Sequence, residues 1–245
     1  MKLKQTVAFN LRNLKKPVII FYIIVFTSFS LVALWNNLST DNSYITFGGL
    51  ELTTCITLFV FGLSLFRSEL FICLQNGISR KTALLGYLIS SSIMAVIMGF
   101  IDAVFYSTFN GNGFSSSLFI QLYAQLDYNK LSLLFVSFAW NVFLYLCLTL
   151  FGYFLAVLYY RMNKSLKLIV SIGVPIFIIV VLPILDELVV NYAIRDFLKR
   201  FIRIMVGTYG GSIQPWNWML SNLFLSILFT FFSYLLIRRA DIKSK

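Results

Sequence analysis

The chain has 245 residues, 59% of them hydrophobic, 18% aromatic and only 12% charged, with a mean hydropathy of +0.86. That is more apolar surface than a soluble core of this length can hide from water, so the composition defines an all-α polytopic membrane protein and excludes disordered, collagen-like and low-complexity designs. Twenty Lys and Arg against nine Asp and Glu leave a net charge of +11, and the absence of histidine removes imidazole-based triads, HExxH zinc sites and most haem ligation.

Residues 1–16 open the chain as a basic stretch. Leu3, Val7, Leu11 and Leu14 recur at helical spacing while Lys2, Arg12 and Lys16 point elsewhere. The expectation is an N-terminal interfacial helix lying along the inner leaflet; the alternative is a positive flank with no helix of its own. Pro17 then suits the first turn of a span, where its missing N–H costs little. The first span, 17–35, ends VALWNN rather than at a small-residue cleavage site, so it is expected to stay as an anchor. It is the first of six apolar runs near the ~20 residues that cross a ~30 Å hydrocarbon layer. The others are 46–66, 82–107, 131–160, 166–185 and 218–237. Each is continuously apolar rather than alternating, which argues against a β-barrel.

Between the second and third spans lies 67–81, the most informative stretch of the sequence. It carries Arg67, Glu69, Leu70, Phe71 and Leu74, and continues helically until Gly77, which can adopt the left-handed conformation after a helix end. Ile78 falls where the hydrophobic contact of such a stop belongs, and Ser79 can cap the following helix. The expectation is a short cytoplasmic helix and a sharp reversal, an apolar knob on which a soluble partner can push; the alternative is a connecting turn with no partner.

Two carboxylates fall within spans. Glu51 lies near the start of the second, and Asp102 sits about 20 residues, or ~30 Å, into the third, close to its outer end. Depth favours a pair of hydrated groups at an outer mouth over a mid-membrane proton relay. Asp102 follows Ser91, Ala95 and Gly99, a small-residue face that lets helices approach closely, so it points toward protein. Asn141 and Thr149 in the fourth span are read as interhelical hydrogen-bonders. Pro175 and Pro183 are expected to bend the fifth. Cys55, Cys73 and Cys147, far apart and without a CxxC pair, are read as small buried hydrophobes; neither a disulfide framework nor a metal cluster is suggested.

The last connection, 186–217, is long. Within it Val190, Ile194, Phe197, Phe201 and Ile204 form one apolar face, and Arg195, Lys199 and Arg203 repeat every fourth residue on another. The expectation is an amphipathic helix in or on the outer leaflet, either capping a path or filling a groove between spans. Trp35, Trp216 and Trp218 fall at span boundaries, where an indole buries its ring and keeps its N–H wet.

Orientation follows from the basic residues. Fifteen Lys and Arg fall before the first span, in the two connections 67–81 and 161–167, and in the tail; five fall on the other side, with most of the acids. Positive charge is retained in the cytoplasm, so both termini are expected there. The net charge is thereby explained by topology without nucleic acid. No ring of charge or filter marks a channel, no matching halves mark a secondary carrier, and no GxxxxGK[ST] loop marks an ATP site.

Six spans, a basic lead-in, LQNGISRKTALLG in the first basic connection, a long amphipathic last outer loop and the closing IRRADIK together resemble the permease subunits of type-2 ABC exporters in Gram-positive bacteria. The resemblance covers essentially the whole chain, with NGISRKT and the terminal RRA its best motifs. It implies that 67–81 is a coupling loop docking on a separate ATP-binding subunit through Arg67, Glu69, Leu70, Phe71, Leu74 and Gly77. It also implies an outer lid formed by Val190, Ile194, Phe197 and Phe201, a second permease subunit, and no catalytic residue, metal or cofactor in this chain, ATP and Mg belonging to the partner. The cargo class it implies is a membrane-active peptide or lipid, and the location a bacterial plasma membrane. The alternative is a membrane-embedded binding, immunity or scaffold protein that transports nothing.

Overall fold

The computed structural model describes residues 2–38, 47–109, 115–123, 125–126, 129–188, 192–208 and 213–238. It is predominantly helical, and six of its helices are long and apolar enough to cross a membrane. α1 spans Lys2–Leu38, α2 Leu50–Gln75, α3 Arg80–Phe109, α4 Leu118–Tyr123, α5 Lys130–Arg161, α9 Ala193–Val206 and α10 Pro215–Arg238. Between α5 and α9, one helical run is built from α6 (Lys164–Leu168), a π-helical turn Ile169–Gly173, α7 (Val174–Ile176), a second π-helical turn Phe177–Val181 and α8 (Leu182–Leu188). Two short strands, β1 (Phe47–Gly48) and β2 (Ser115–Ser116), pair in parallel just before α2 and α4.

α5 is the central helix, packed against α2, α3 and α10, with α1 laid along α3. The α2–α5 crossing brings backbones into contact. A Cβ on Gly62 would stand 2.3 Å from the Thr149 carbonyl oxygen, and one on Gly152 2.3 Å from that of Phe59. Below this crossing the rings of Tyr87 and Tyr153 stack at 3.9 Å, with Phe66 edge-on to Tyr153 at 5.3 Å. The small-residue face of α3 does what its spacing predicts: Ser91, Ala95 and Gly99 are buried, and Gly99 lies against Val142 of α5.

Two expectations change. The basic lead-in and the first span are one continuous helix, α1, rather than an interfacial helix followed by a span. At 1.5 Å per residue α1 is about 55 Å long, well beyond the hydrocarbon layer, and its first turns pack instead of splaying. Thr6 sits against Gly86 of α3, and Leu14 and Val18 are buried. Pro17 lies inside α1, and the residue whose carbonyl it leaves without an i+4 donor, Asn13, is at an exposed position where water can serve it. The second change concerns the fifth span. Each π-helical turn contains the residue four before a proline, Ser171 before Pro175 and Ile179 before Pro183. That is where a proline ring meets the preceding carbonyl, and the wider turn relieves the clash without ending the helix. This run is exposed along its spanning length, and a hydrogen bond of 2.9 Å between the Tyr159 and Ser171 hydroxyls ties it to the bundle.

One end of the bundle gathers α1's first turn, the 76–79 turn and the end of α10. The Lys2 ammonium donates to the Gly77 carbonyl at 3.0 Å. The Arg80 guanidinium donates to the last carbonyls of α10, Ile237 at 3.3 Å and Arg238 at 2.9 Å, where a cation also complements the helix dipole.

Candidate functional site

The 67–81 segment is built as its sequence signals say. α2 runs unbroken to Gln75, Gly77 takes φ +63°, and the Ile78 N–H donates to the Cys73 carbonyl at 2.8 Å, closing the left-handed stop. Ser79 then accepts from the Thr82 N–H at 3.2 Å and caps α3. The expected separate helix is therefore the last turns of α2. Its side chains divide sharply. Phe71 is 55% exposed and Gln75 is exposed, whereas Leu70 is buried and Glu69 is only 1% exposed. Glu69 accepts a hydrogen bond of 2.6 Å from the Asn10 amide, while its second oxygen and the Asn10 carbonyl oxygen have no partner. Glu69 thus joins α2 to α1 beneath the surface, which corrects its placement on a docking face. The reason is the collinear α1, whose packing covers that side of α2. The side chains of Arg67 and Leu74 lie outside the described residues.

α9 carries the expected amphipathic pattern. Its start is held by Asp186, whose carboxylate accepts from the N–H groups of Ile194 at 2.8 Å and Arg195 at 3.0 Å. Phe197 and Phe201 are exposed and stack at 6.3 Å, and Gly207 ends the helix with φ +80°. The Tyr123 hydroxyl donates to the Val206 carbonyl at 2.8 Å, tying α4 to this helix end. Val190 falls outside the described residues.

At the opposite end of the bundle from the 76–79 turn, Glu51 and Asp102 are both fully buried. This corrects their reading as hydrated groups: depth along a helix says nothing about which side of the helix faces water. Asp102 accepts from the Tyr22 hydroxyl of α1 at 2.9 Å and the Tyr145 hydroxyl of α5 at 2.5 Å, one on each oxygen. Glu51 accepts from the Ser117 hydroxyl at 2.7 Å on one oxygen and from the Leu118 N–H on the other. Ser117 in turn accepts from the Phe119 N–H at 3.1 Å. The Tyr106 hydroxyl, also on α3, accepts from the Leu50 N–H at 3.2 Å and fixes the start of α2.

Around the pair stand Thr54, next to Asp102, and Asn141, next to Glu51. Both are fully buried, the Thr54 hydroxyl within reach of the Asp102 carboxylate and the Asn141 amide within reach of that of Glu51. Asn141 on α5 thus faces Glu51 on α2, across the helix pair, as its reading as an interhelical hydrogen-bonder expects. The Thr149 hydroxyl bonds within its own helix, to the Tyr145 carbonyl at 2.6 Å. Tyr22, Tyr145 and Ser117 do not stand out in the sequence; a tyrosine at four-residue spacing from a polar residue, as Tyr145 is from Asn141, is the available signal. The three cysteines are buried and free, as expected. Comparison with family models, curated proteins and solved structures finds no match to the chain.

Proposed function

We propose that the chain is the membrane-spanning permease subunit of an ATP-driven exporter in a bacterial plasma membrane, with both termini and the 76–79 turn in the cytoplasm. The observation that carries this reading is the turn itself. α2, unbroken to Gln75, is stopped by Gly77, the chain is recapped by Ser79 and braced by Lys2 and Arg80, and Phe71 is exposed one turn before the helix end. A rigid, apolar, basic-rimmed end suits docking by a soluble subunit, whereas a mere connection needs no such bracing. Nucleotide in that subunit would shift the permease between arrangements only through unequal docking affinity for the two. α9 would close the far side, and the cargo would be a membrane-active peptide or lipid.

The test uses an exposed position, because changes at Glu69 or Leu70 would disturb the bundle. Phe71→Asp is expected to abolish co-purification of an ATP-binding subunit and its ATPase activity from native membranes while leaving the amount of inserted chain unchanged. Undiminished co-purification would refute the docking role.

A further inference from the structure

α9 has an apolar side that the bundle leaves uncovered. At about 100° per residue, Ile194, Phe197, Leu198, Phe201, Ile202 and Ile204 fall within about 160° of the helix circumference. Arg195, Lys199, Arg200 and Arg203 share the rest with Asp196, and Arg195 and Arg200 flank the apolar arc on its two sides. An apolar arc of this width belongs out of water, yet no side chain of α9 is buried, and Phe197, Leu198, Phe201, Ile202 and Ile204 are all exposed.

The two ends of α9 fix its level. Its start is held by Asp186, in the last turns of the fifth apolar helix, through the Ile194 and Arg195 N–H groups. Its end returns directly to the sixth: the Gly207 carbonyl accepts from the Gln214 N–H at 2.9 Å, next to Pro215, where α10 begins. Both ends therefore lie at the end of the bundle away from the 76–79 turn. With 14 residues α9 is about 21 Å long, too short to cross a ~30 Å hydrocarbon layer, so it lies along one surface of it. Trp216, exposed at the start of α10, marks the same level as a boundary between lipid and water.

The charges then select the occupant. Four cations stand against one acid, and among the described residues the one carboxylate within ion-pair distance of any of them is that of Asp196, 4.0 Å from the Lys199 ammonium. At this level acyl chains cover the apolar arc, and the anions beside them are lipid phosphates. Long basic side chains at both borders of the arc can reach those phosphates while their stems stay in the apolar layer. We infer that α9 binds anionic phospholipid, with its apolar arc in the outermost acyl region and Arg195, Lys199, Arg200 and Arg203 among the headgroups. The inference rests on the fold and not on the transport reading, and it stands whichever end of the bundle faces the cytosol.

The experiment places a reporter on α9 itself, because the basic residues at the other end of the bundle attract anionic lipid too. Ile202 is exposed and borders the basic arc, and the native cysteines are buried, so Ile202→Cys in the full chain can carry an environment-sensitive fluorophore. The labelled protein is reconstituted into vesicles of phosphatidylcholine, or of phosphatidylcholine and phosphatidylglycerol in equal parts, and quenched with acrylamide, which is neutral. Phosphatidylglycerol is expected to lower the quenching constant by about twofold or more, since each cation near an anionic surface favours the bound state by about fivefold. Inorganic phosphate added to phosphatidylcholine vesicles is expected to leave it unchanged. The effect of phosphatidylglycerol is expected to vanish when Arg195, Lys199, Arg200 and Arg203 are all changed to Gln. It should also vanish for the unchanged helix in about 1 M NaCl, where the Debye length falls to about 3 Å. Should the fourfold variant fail to fold, the salt comparison decides alone. The inference is overturned if both vesicles give equal quenching, if the fourfold variant or the high-salt sample keeps the difference, or if inorganic phosphate reproduces the protection.

Discussion

Asp102 shows how a polar residue can be accommodated in an apolar bundle. Its two oxygens are divided between phenols from α1 and α5, so one carboxyl ties three helices together. Removing one donor, Tyr145→Phe, is expected to lower unfolding stability by about 1–2 kcal/mol, between the values for charged acceptors and for hydrogen bonds inside membranes. The same change in an Asp102→Asn background should cost clearly less, because both act on one acceptor. Equal costs in the two backgrounds, measured by reversible unfolding in mixed micelles, would show that the bond contributes nothing specific. Asp102 and Glu51 can be picked from the sequence, since any acid in an apolar run stands out. Their partners cannot. Tyr22 and Tyr145 lie 80 and 43 residues from Asp102, and which helices become neighbours is not encoded in local spacing.

The helix pair α2–α5 rests on Gly62 and Gly152, which leave no room for a side chain. An alanine methyl at Gly62 would meet the Thr149 carbonyl oxygen and, at 2.9 Å, the Tyr153 nitrogen, both backbone atoms that cannot swing aside. Gly62→Ala is expected to cost about 1–3 kcal/mol, or to prevent stable assembly, because two helices must move apart. A variant that unfolds at the wild-type midpoint would contradict this close approach. Nothing in the sequence separates these glycines from others in apolar runs, because their importance lies in a contact with a helix far along the chain. The turn after α2 is the opposite case. Gly77 and Ser79 act on their own neighbours, so the helix stop and the cap are legible in the sequence by themselves. The prolines of the fifth span are legible as disturbances, but not as two π-helical turns, since the relief of a ring clash depends on the whole run and not on the proline alone. Continuity of α1 is hidden for a related reason. The charged lead-in has an interfacial pattern, yet Thr6, Asn10, Leu14 and Val18 find a packing surface on α2 and α3 that exists only after those helices meet.

The molecule as a whole is a bundle centred on α5 with a loosely attached fifth apolar helix and an amphipathic α9. The number of long apolar helices and their approximate bounds follow from hydropathy, because a continuous apolar run must be buried in lipid or protein whatever its neighbours are. The arrangement of those helices does not, because it is set by contacts between residues distant in the chain. With six helices long enough to cross a membrane, the first turn of α1, the 76–79 turn and the end of α10 share one end, and Lys2, Arg80 and Arg238 lie there together. If that end faces the cytosol, the exposed part of α2 is a handle for a motor subunit; if it faces outward, it cannot be. The native cysteines are all buried, so a single exposed cysteine can report the side. With a membrane-impermeant maleimide on intact cells, Gln75→Cys is expected to remain unlabelled until the membrane is opened, and Lys130→Cys, at the other end of the bundle, to label at once. Labelling of Gln75→Cys in intact cells would contradict the cytoplasmic turn and the permease reading with it.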